Sequence, residues 1–276
     1  MLPRSLSRYF LVFAVLALAA ALAFAACGDD DDGGTDVSGV PELEDGVLTV
    51  GSDIAYAPFE FFQEGTEIED GLDIDLAIAI AEELGVEIEF LNTGFDGIIP
   101  ALQTEDFDIL VSAMTITDER SEVIDFVPYI TVGTGIVVPT GNPNNIQTLD
   151  DLCGLSVAVQ TGTIQVDMLE AQNDTCDDPI DIVVFENNPL AVEDLRTGGA
   201  DANFSDFPVA GEDAAQSEGD LEVVETQIAP EPYGIGVRME STELKAAIAD
   251  AIEAIIDSGK YDEILEKWGL EAVALQ

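Results

Sequence analysis

The stretch "GIIPALQTEDFDILVSAMTITDERSEVIDFVPY" at residues 97–129 decides the fold. Its first residues have the apolar spacing of a short helix, and "DFDILVSA" at 106–113 is typical of a buried strand. A second helix start follows, with Thr117 in the N-cap position and Asp118 and Glu119 in the first turn. A helix, a strand and another helix in close succession indicate an α/β protein.

The same alternation extends over the rest of the chain. Strand patterns occur at 46–52, 86–91, 155–160, 181–186 and 200–206. Helix patterns occur at 73–85, 94–103, 163–172 and 190–199, and in two amphipathic segments on either side of Ser258–Gly259. Strands separated by helices predict parallel sheets, and Gly85 is the expected C-terminal stop of the first helix.

The composition is strongly acidic and excludes some partners. The chain has 57 Asp and Glu residues against 8 Lys and Arg and no His, which gives a net charge of −49. Such a charge repels nucleic acids and anionic membrane surfaces. Near absence of lysine beside so much acid is typical of a halophilic protein, and an ordinary acidic secreted protein is the alternative. The 47% hydrophobic content supplies a core for one large domain or two of ordinary size.

The N-terminal residues predict export. Residues 1–26 combine two arginines with a long apolar run, as a signal peptide does. The following "FAAC" resembles the lipobox of bacterial lipoproteins, with Cys27 as the lipid-bearing residue, although Phe24 stands where an aliphatic residue is usual. A cleaved signal with an incidental cysteine is the alternative, and the protein is then secreted or periplasmic. Residues 27–46 have the composition of an acidic tether.

Two further cysteines, Cys153 and Cys176, predict a disulfide, because an exported protein meets oxidising conditions. Closure of such a loop stabilises a fold by about 3 kcal/mol. Two thiols without any histidine do not make a four-ligand zinc site. We therefore expect neither a metal nor a cofactor.

Five motifs in order carry a resemblance to a known family. They are "GSDIAYAPFEF" at 51–61, "EDGLDIDLAIAIAEELG" at 69–85, the stretch 97–129, "LCGLSVAVQTGT" at 152–163 and "ADANFSD" at 200–206. Their order and spacing resemble those of the polar amino-acid-binding proteins of ABC importers, solute-binding protein family 3. The resemblance covers roughly residues 47–270.

The resemblance implies an architecture and a function. It implies an α/β, two-lobed, periplasmic-binding-protein-like fold of type II with two crossover hinge strands. Lobe 1 would comprise residues 47–133 and 231–276, and lobe 2 residues 134–230. The implied protein is a monomer that is held outside the cell membrane by a lipid. It captures a free amino acid between the lobes and delivers it to an ABC permease.

The chemistry of an amino acid explains the residues that the resemblance selects. An α-carboxylate needs a fixed cation, and Arg120 can hold one through two parallel hydrogen bonds. The family places Arg120, Thr115 and Thr163 around the carboxylate. It places Asp206 on the ammonium, together with main-chain oxygen near Ser112. The alternatives are a surface ion pair for Arg120, a solvated loop acid for Asp206 and a plain N-cap for Thr163.

The side-chain pocket is expected at Asp53, Tyr56, Phe59 and Phe95. Aromatic rings around an aliphatic stem, with Asp53 at the polar end, would suit glutamine, arginine or lysine. Phe59 and Phe95 also fit a plain role in the core. No pocket arginine or lysine is visible for a side-chain carboxylate, which disfavours glutamate and aspartate.

Two other classes of function are compatible with these residues. Exported cyclohexadienyl dehydratases resemble this family and use a cleft acid as the proton donor, but no catalytic motif is visible here. A sensor module would signal to a membrane receptor instead of serving a transporter. We expect a binding protein without enzymatic activity.

The acidic composition predicts that salt stabilises the fold. Molar KCl shortens the Debye length to about 3 Å and so weakens the repulsion among the acids. We expect the melting temperature to rise between low and molar KCl, measured by circular dichroism. A flat or falling melting temperature would leave the composition without this explanation.

Overall fold

The computed structural model describes residue 35, residues 37–224 and residues 227–275. The predicted signal peptide, 1–26, and the predicted lipid-bearing Cys27 lie outside the described residues. In the described part of the chain, every helix is too short or too polar to cross a bilayer.

The described residues contain twelve strands and eight α-helices, and every strand and helix that the sequence predicts is among them. The strands are β1 Val47–Ser52, β2 Ala55–Tyr56, β3 Glu60–Phe62, β4 Glu69–Asp70, β5 Glu87–Asn92, β6 Ile109–Leu110, β7 Asp125–Pro139, β8 Ser156–Gln160, β9 Asp181–Phe185, β10 Ala202–Asp206, β11 Leu221–Val223 and β12 Ile228–Val237. The helices are α1 Leu72–Leu84, α2 Phe95–Gln103, α3 Asp118–Ser121, α4 Ile164–Asn173, α5 Asn188–Thr197, α6 Phe207–Gln216, α7 Thr242–Ser258 and α8 Lys260–Trp268.

The main sheet is mixed, whereas the sequence predicted parallel sheets. Its order is β5-β1-β6-β12-β7-β10-β8-β9, with β11 beside β7. The outer strands pair in parallel on each side, but β12 runs antiparallel to both β6 and β7, and β7 antiparallel to β10. The prediction fails in the middle because the chain crosses the sheet there twice on extended strands, out along β7 and, after α4, α5 and α6, back along β12. The two crossings run in opposite directions and pair with each other.

Hydrophobic clusters lie on both sides of the middle of β7. On one side, Val132 belongs to the cluster that packs α1, α7 and α8 against the sheet. On the other, Ile136 belongs to the cluster that contains Leu169 of α4. Val209 of α6 joins the first cluster although it lies in the segment assigned to lobe 2. The lobe boundaries themselves stay a prediction.

Helix ends agree with the sequence signals. Gly85 ends α1 in the left-handed region, at φ 68°, and Gly259, at φ 81°, separates α7 from α8. The Thr117 side chain accepts a hydrogen bond from the Arg120 N–H and so caps α3, as predicted. Helix α3 has only four residues, so Arg120 lies within a single turn.

The last residues of the predicted tether pack onto the body of the protein. Val40 and Leu43 are each 5% exposed and belong to the first cluster. Between them, Glu42 pairs with the buried Arg238 at 3.4 Å. The other hydrogen bond of this guanidinium goes to the carbonyl oxygen of Phe107, at 2.9 Å. This contact fixes the segment around Glu42 against the end of β12.

The predicted disulfide is confirmed. Cys153 and Cys176 are bonded, with their Cα atoms 5.5 Å apart. The bond joins the end of a 3₁₀ turn at Leu149–Leu152 to the segment that follows α4. Cys176 packs against the cluster that contains Ile136.

Replacement of both Cys153 and Cys176 by serine should lower the free energy of unfolding by about 3 kcal/mol, because the unfolded chain regains loop entropy. Urea unfolding of the wild type and of the double variant measures this loss. A reducing agent should destabilise the wild type alone. Two alkylatable thiols in the unreduced protein would contradict the bond.

Candidate functional site

The side chains of the site converge where strands end. Asp53 follows β1, Thr163 follows β8 and Asp206 ends β10. Ligands of α/β proteins bind at such strand ends. A small, partly open cavity of about 10 Å³ lies between them. Its lining comprises Asp53, Tyr56, Glu60, Phe95, Ala113, Thr115, Arg120, Gln160, Thr163, Ile164, Gln165 and Asp206.

Arg120 is held at the cavity by main-chain oxygen. Its Nη1 donates to the carbonyl of Thr115 at 2.7 Å, and its Nη2 to that of Gly162 at 3.0 Å. The guanidinium carbon lies 5.5 Å from the centroid of the Phe95 ring. Burial lowers the pKa of Arg120, and attraction by Asp206 opposes this shift. The guanidinium stays charged and has further N–H groups for an anion.

Asp206 supplies a negative charge on the wall of the cavity opposite Arg120, and hydrogen bonds fix the orientation of its carboxylate. It is 6% exposed and accepts hydrogen bonds from the Tyr56 hydroxyl at 2.7 Å and from Gln165 Nε2 at 2.9 Å. Gln165 also donates to Thr134 of the crossover strand β7 at 3.1 Å. Burial raises the pKa of Asp206 to about 6, against these hydrogen bonds and the attraction of Arg120. At neutral pH the carboxylate is therefore mostly ionised.

A chain of hydrogen bonds leads away from Asp53. Gln160 Nε2 donates to Asp53 Oδ2 at 2.7 Å, and the Gln160 side-chain oxygen accepts the Asn188 N–H at 3.1 Å. Asn188 in turn donates to Asp213 at 2.9 Å. Burial raises the pKa of Asp53, and the Gln160 hydrogen bond opposes the shift. This chain fixes the orientation of Asp53 from the opposite side of the cavity.

Two predicted residues have contacts of a different kind from those expected. Ser112 lies beneath the cavity, where its hydroxyl donates to Glu60 at 2.9 Å and accepts the Asp53 N–H at 3.0 Å. Thr163 occupies the N-cap position of α4, but its hydroxyl donates to the Gln160 carbonyl at 2.8 Å instead of capping the helix.

The two phenylalanines separate into one core and one cavity residue. Phe59 is fully buried within the cluster that contains Val132. Phe95 lines the cavity below Arg120. Only the second of them can contact a ligand in this arrangement.

Sequence reasoning missed three polar residues of the cavity, Glu60, Gln160 and Gln165. Glu60 is 1% exposed, and its Oε2 has no hydrogen-bond partner within the described residues. The available signal was its place in "APFEF", between two aromatic residues of which only the first is fully buried. Gln160 and Gln165 flank the "TGT" turn on either side.

Cations outside the cavity have structural partners. Arg238 holds Glu42, as described above, and Arg196 lies on the surface near Glu193 and Asp220. In the ranges that the structure describes, no group of three or more Cys, Asp or Glu side chains is placed to hold a metal ion.

A sheet crossed by two long strands, with a polar cavity at the strand ends, defines a periplasmic-binding-protein-like receptor for a small solute. Comparison with known proteins gives the family. Residues 48–271 match the model of the bacterial extracellular solute-binding proteins, family 3, and the chain belongs to that family.

Individual relatives cover most of this chain. An arginine-binding protein of Corynebacterium glutamicum is 34% identical over 84% of this chain and 78% of its own. A probable histidine-binding protein of Neisseria gonorrhoeae is 33% identical over 90% of this chain and 91% of its own. A solved structure of an ancestral arginine-binding protein bound to arginine is 40% identical, with a TM-score of 0.77 over 81% of this chain and 98% of that one.

Asp213→Asn should stabilise the protein at pH 8 by about 1–2 kcal/mol, and the gain should vanish below about pH 4. Burial raises the pKa of Asp213 to about 7, so its favourable contribution is lost as the pH rises through 7. Asparagine carries no charge and keeps an acceptor for Asn188. Urea unfolding at pH 4, 6 and 8 measures the effect.

The exposed Asp250 on α7 supplies the matched control. Asp250→Asn should leave the difference between pH 4 and pH 8 unchanged. Equal stability of the wild type and Asp213→Asn at pH 8 would show that burial of Asp213 has no cost.

Proposed function

We propose that the protein captures a free amino acid with a basic side chain in the cavity and delivers it to an ABC permease. The observation that carries this proposal is the charge of the cavity lining. Three carboxyl groups, those of Asp53, Glu60 and Asp206, face the single guanidinium of Arg120. A basic amino acid brings two cations and one anion, which complements this set.

The pairing of charges assigns each group of the ligand. The α-carboxylate binds Arg120, with Thr115 and Thr163 beside it, and the α-ammonium binds Asp206. Asp53 and Glu60 then face the side chain. A buried carboxylate without a partner is costly, so a cationic side chain is favoured over a neutral one. A side-chain carboxylate would meet acids, since Arg120 is the only cation among the described residues of the lining.

Aromatic rings would hold the aliphatic stem of such a ligand. Tyr56 and Phe95 both line the cavity, and the Tyr56 hydroxyl is tied to Asp206. The relatives named above as arginine- and histidine-binding proteins support the basic class.

Capture would follow from closure of two lobes around the ligand. In this proposal lobe 1 is residues 47–133 with 231–276, lobe 2 is residues 134–230, and β7 and β12 form the hinge. Direct hydrogen bonds between the proposed lobes support closure at this site: Tyr56 to Asp206, Gln160 to Asp53, and Arg120 to the Gly162 carbonyl.

The place of action follows from the family, whose members are extracellular. We propose that Cys27 carries a lipid that anchors a monomer to the outer face of the cell membrane, close to the permease. Mass spectrometry of the membrane fraction tests the lipid, and a Cys27→Ser variant should be released into the medium.

We further propose that the protein binds its ligand without converting it. The relatives compared above are named as binding proteins. Incubation with prephenate and arogenate tests the alternative of a dehydratase, and turnover of either would overturn this part of the proposal.

A thermal-shift screen of the twenty amino acids at molar KCl tests the binding function. Arginine, lysine or histidine should raise the melting temperature most, and glutamate and aspartate least. A response to glutamate alone would contradict the proposed class of side chain and leave the family unchanged.

Arg120→Ala should weaken binding of the best ligand by about 2–5 kcal/mol, because the α-carboxylate is left in a closed cavity without its partner. Arg120→Lys should restore only part of the affinity, since an ammonium cannot make the planar two-pronged contact. Calorimetric titration of both variants, with their melting curves, measures affinity and stability separately.

Arg196 on the surface of α5 is the matched control. Arg196→Ala should bind as the wild type does. Unchanged affinity of Arg120→Ala together with a large fall in melting temperature would mean that Arg120 is structural.

A further inference from the structure

Two carboxylic acids are buried together at the end of the cavity where the side chain of the proposed ligand would lie. Glu60 on β3 is 1% exposed, and Asp73 on α1 is fully buried. Asp73 does not line the cavity, but it lies close enough to Glu60 for its negative charge to raise the pKa of Glu60. The Asp73 carboxylate accepts hydrogen bonds from the Ala113 N–H at 2.7 Å and from the Tyr129 hydroxyl at 2.8 Å. Glu60 accepts one from Ser112, and no N–H or hydroxyl group of the described residues donates to its other oxygen.

The surroundings of this pair do not neutralise it. Neither acid forms an ion pair within the residues that the structure describes. The titratable and charged groups around them are Asp53, Tyr56, Arg120, Tyr129, Asp206 and Tyr233. Among these, Arg120 is the only cation, and it already faces Asp206 and two carbonyl oxygens.

Two ionised carboxylates buried beside each other would repel each other strongly, so such a pair keeps a proton. The hydrogen-bond donors around each acid decide which of the two carboxyl groups carries this proton. Asp73, with two hydrogen-bond donors, is the better place for the negative charge, and the unpartnered oxygen of Glu60 is the better place for the proton. Burial and then the charge of Asp73 raise the pKa of Glu60 well above its usual range, whereas burial raises that of Asp73 to about 7.

We propose that Glu60 and Asp73 hold one proton between them in the empty site, and that a cationic side chain expels this proton when it binds against Glu60. This inference rests on the proposed function and adds a coupling to it. One O–H bond of Glu60 breaks, the proton passes to the solvent, and the ligand cation takes its place. The buried charge therefore stays the same before and after binding.

Asp73 thereby influences selectivity without contact with the ligand. A neutral side chain meets Glu60 as an uncharged acid and leaves the proton where it is. A cationic side chain gains a carboxylate partner, but only with loss of the proton. Between about pH 7 and the raised pKa of Glu60, the affinity for a cationic ligand should rise by about tenfold per pH unit.

Calorimetric titration with L-arginine in buffers of different ionisation enthalpy tests the coupling at pH 7.5. The dependence of the observed heat on the buffer gives the number of protons released. We expect about one proton for L-arginine and none for L-citrulline, its neutral isostere. Arginine binding without proton release would overturn this inference and leave the proposed function intact. Failure to bind any amino acid would instead reject the proposed function.

Two variants locate the proton. Glu60→Gln should abolish proton release on arginine binding and make the residual affinity independent of pH above about pH 7, where Asp206 is ionised. Asp73→Asn keeps the cavity lining and should reduce the number of protons released, because Glu60 then ionises more readily. Melting curves confirm that each variant is folded, and if Glu60→Gln does not fold, the wild type and Asp73→Asn decide. Full release from either folded variant would place the proton elsewhere and contradict the inference.

Discussion

One half-buried guanidinium has to balance several buried acids, and much of the structure around the cavity serves this constraint. Arg120 carries the only positive charge among the described residues of the lining. The acids are compensated by neutral donors instead: the Tyr56 hydroxyl and Gln165 on Asp206, and Gln160 on Asp53. These donors orient the carboxylates without neutralising them. The cavity therefore keeps an excess of negative charge that an arriving cation can satisfy.

The sheet explains how these groups come together. Two parallel sets of strands end at the same cavity because β7 and β12 join them through the middle of one sheet. Thr134, on β7, accepts a hydrogen bond from Gln165, which also holds Asp206. The strand that connects the two sides of the molecule is thus hydrogen-bonded, through one side chain, to the group that binds the ligand ammonium in our proposal.

The sequence predicted seven of the eight helices and six of the twelve strands among the described residues, because these have local apolar patterns. The helix stop at Gly85 and the N-cap at Thr117 could be predicted from neighbouring residues alone. The disulfide could be predicted from the export signal. The mixed sheet was missed because the antiparallel centre depends on two strands about a hundred residues apart in the chain. Glu60 and Gln160 were missed because their burial arises when distant segments meet. Glutamate beside a phenylalanine is otherwise typical of a half-exposed strand.

The contact between Glu42 and Arg238 also limits how far the chain can be shortened. Val40 and Leu43 are buried in the first cluster, and the Thr35 N–H donates to the carbonyl oxygen of Glu83 at 3.1 Å. Removal of this segment would uncover apolar surface and leave the buried Arg238 without its carboxylate. Part of the predicted tether therefore belongs to the folded unit, and a shortened protein that keeps its stability has to retain it.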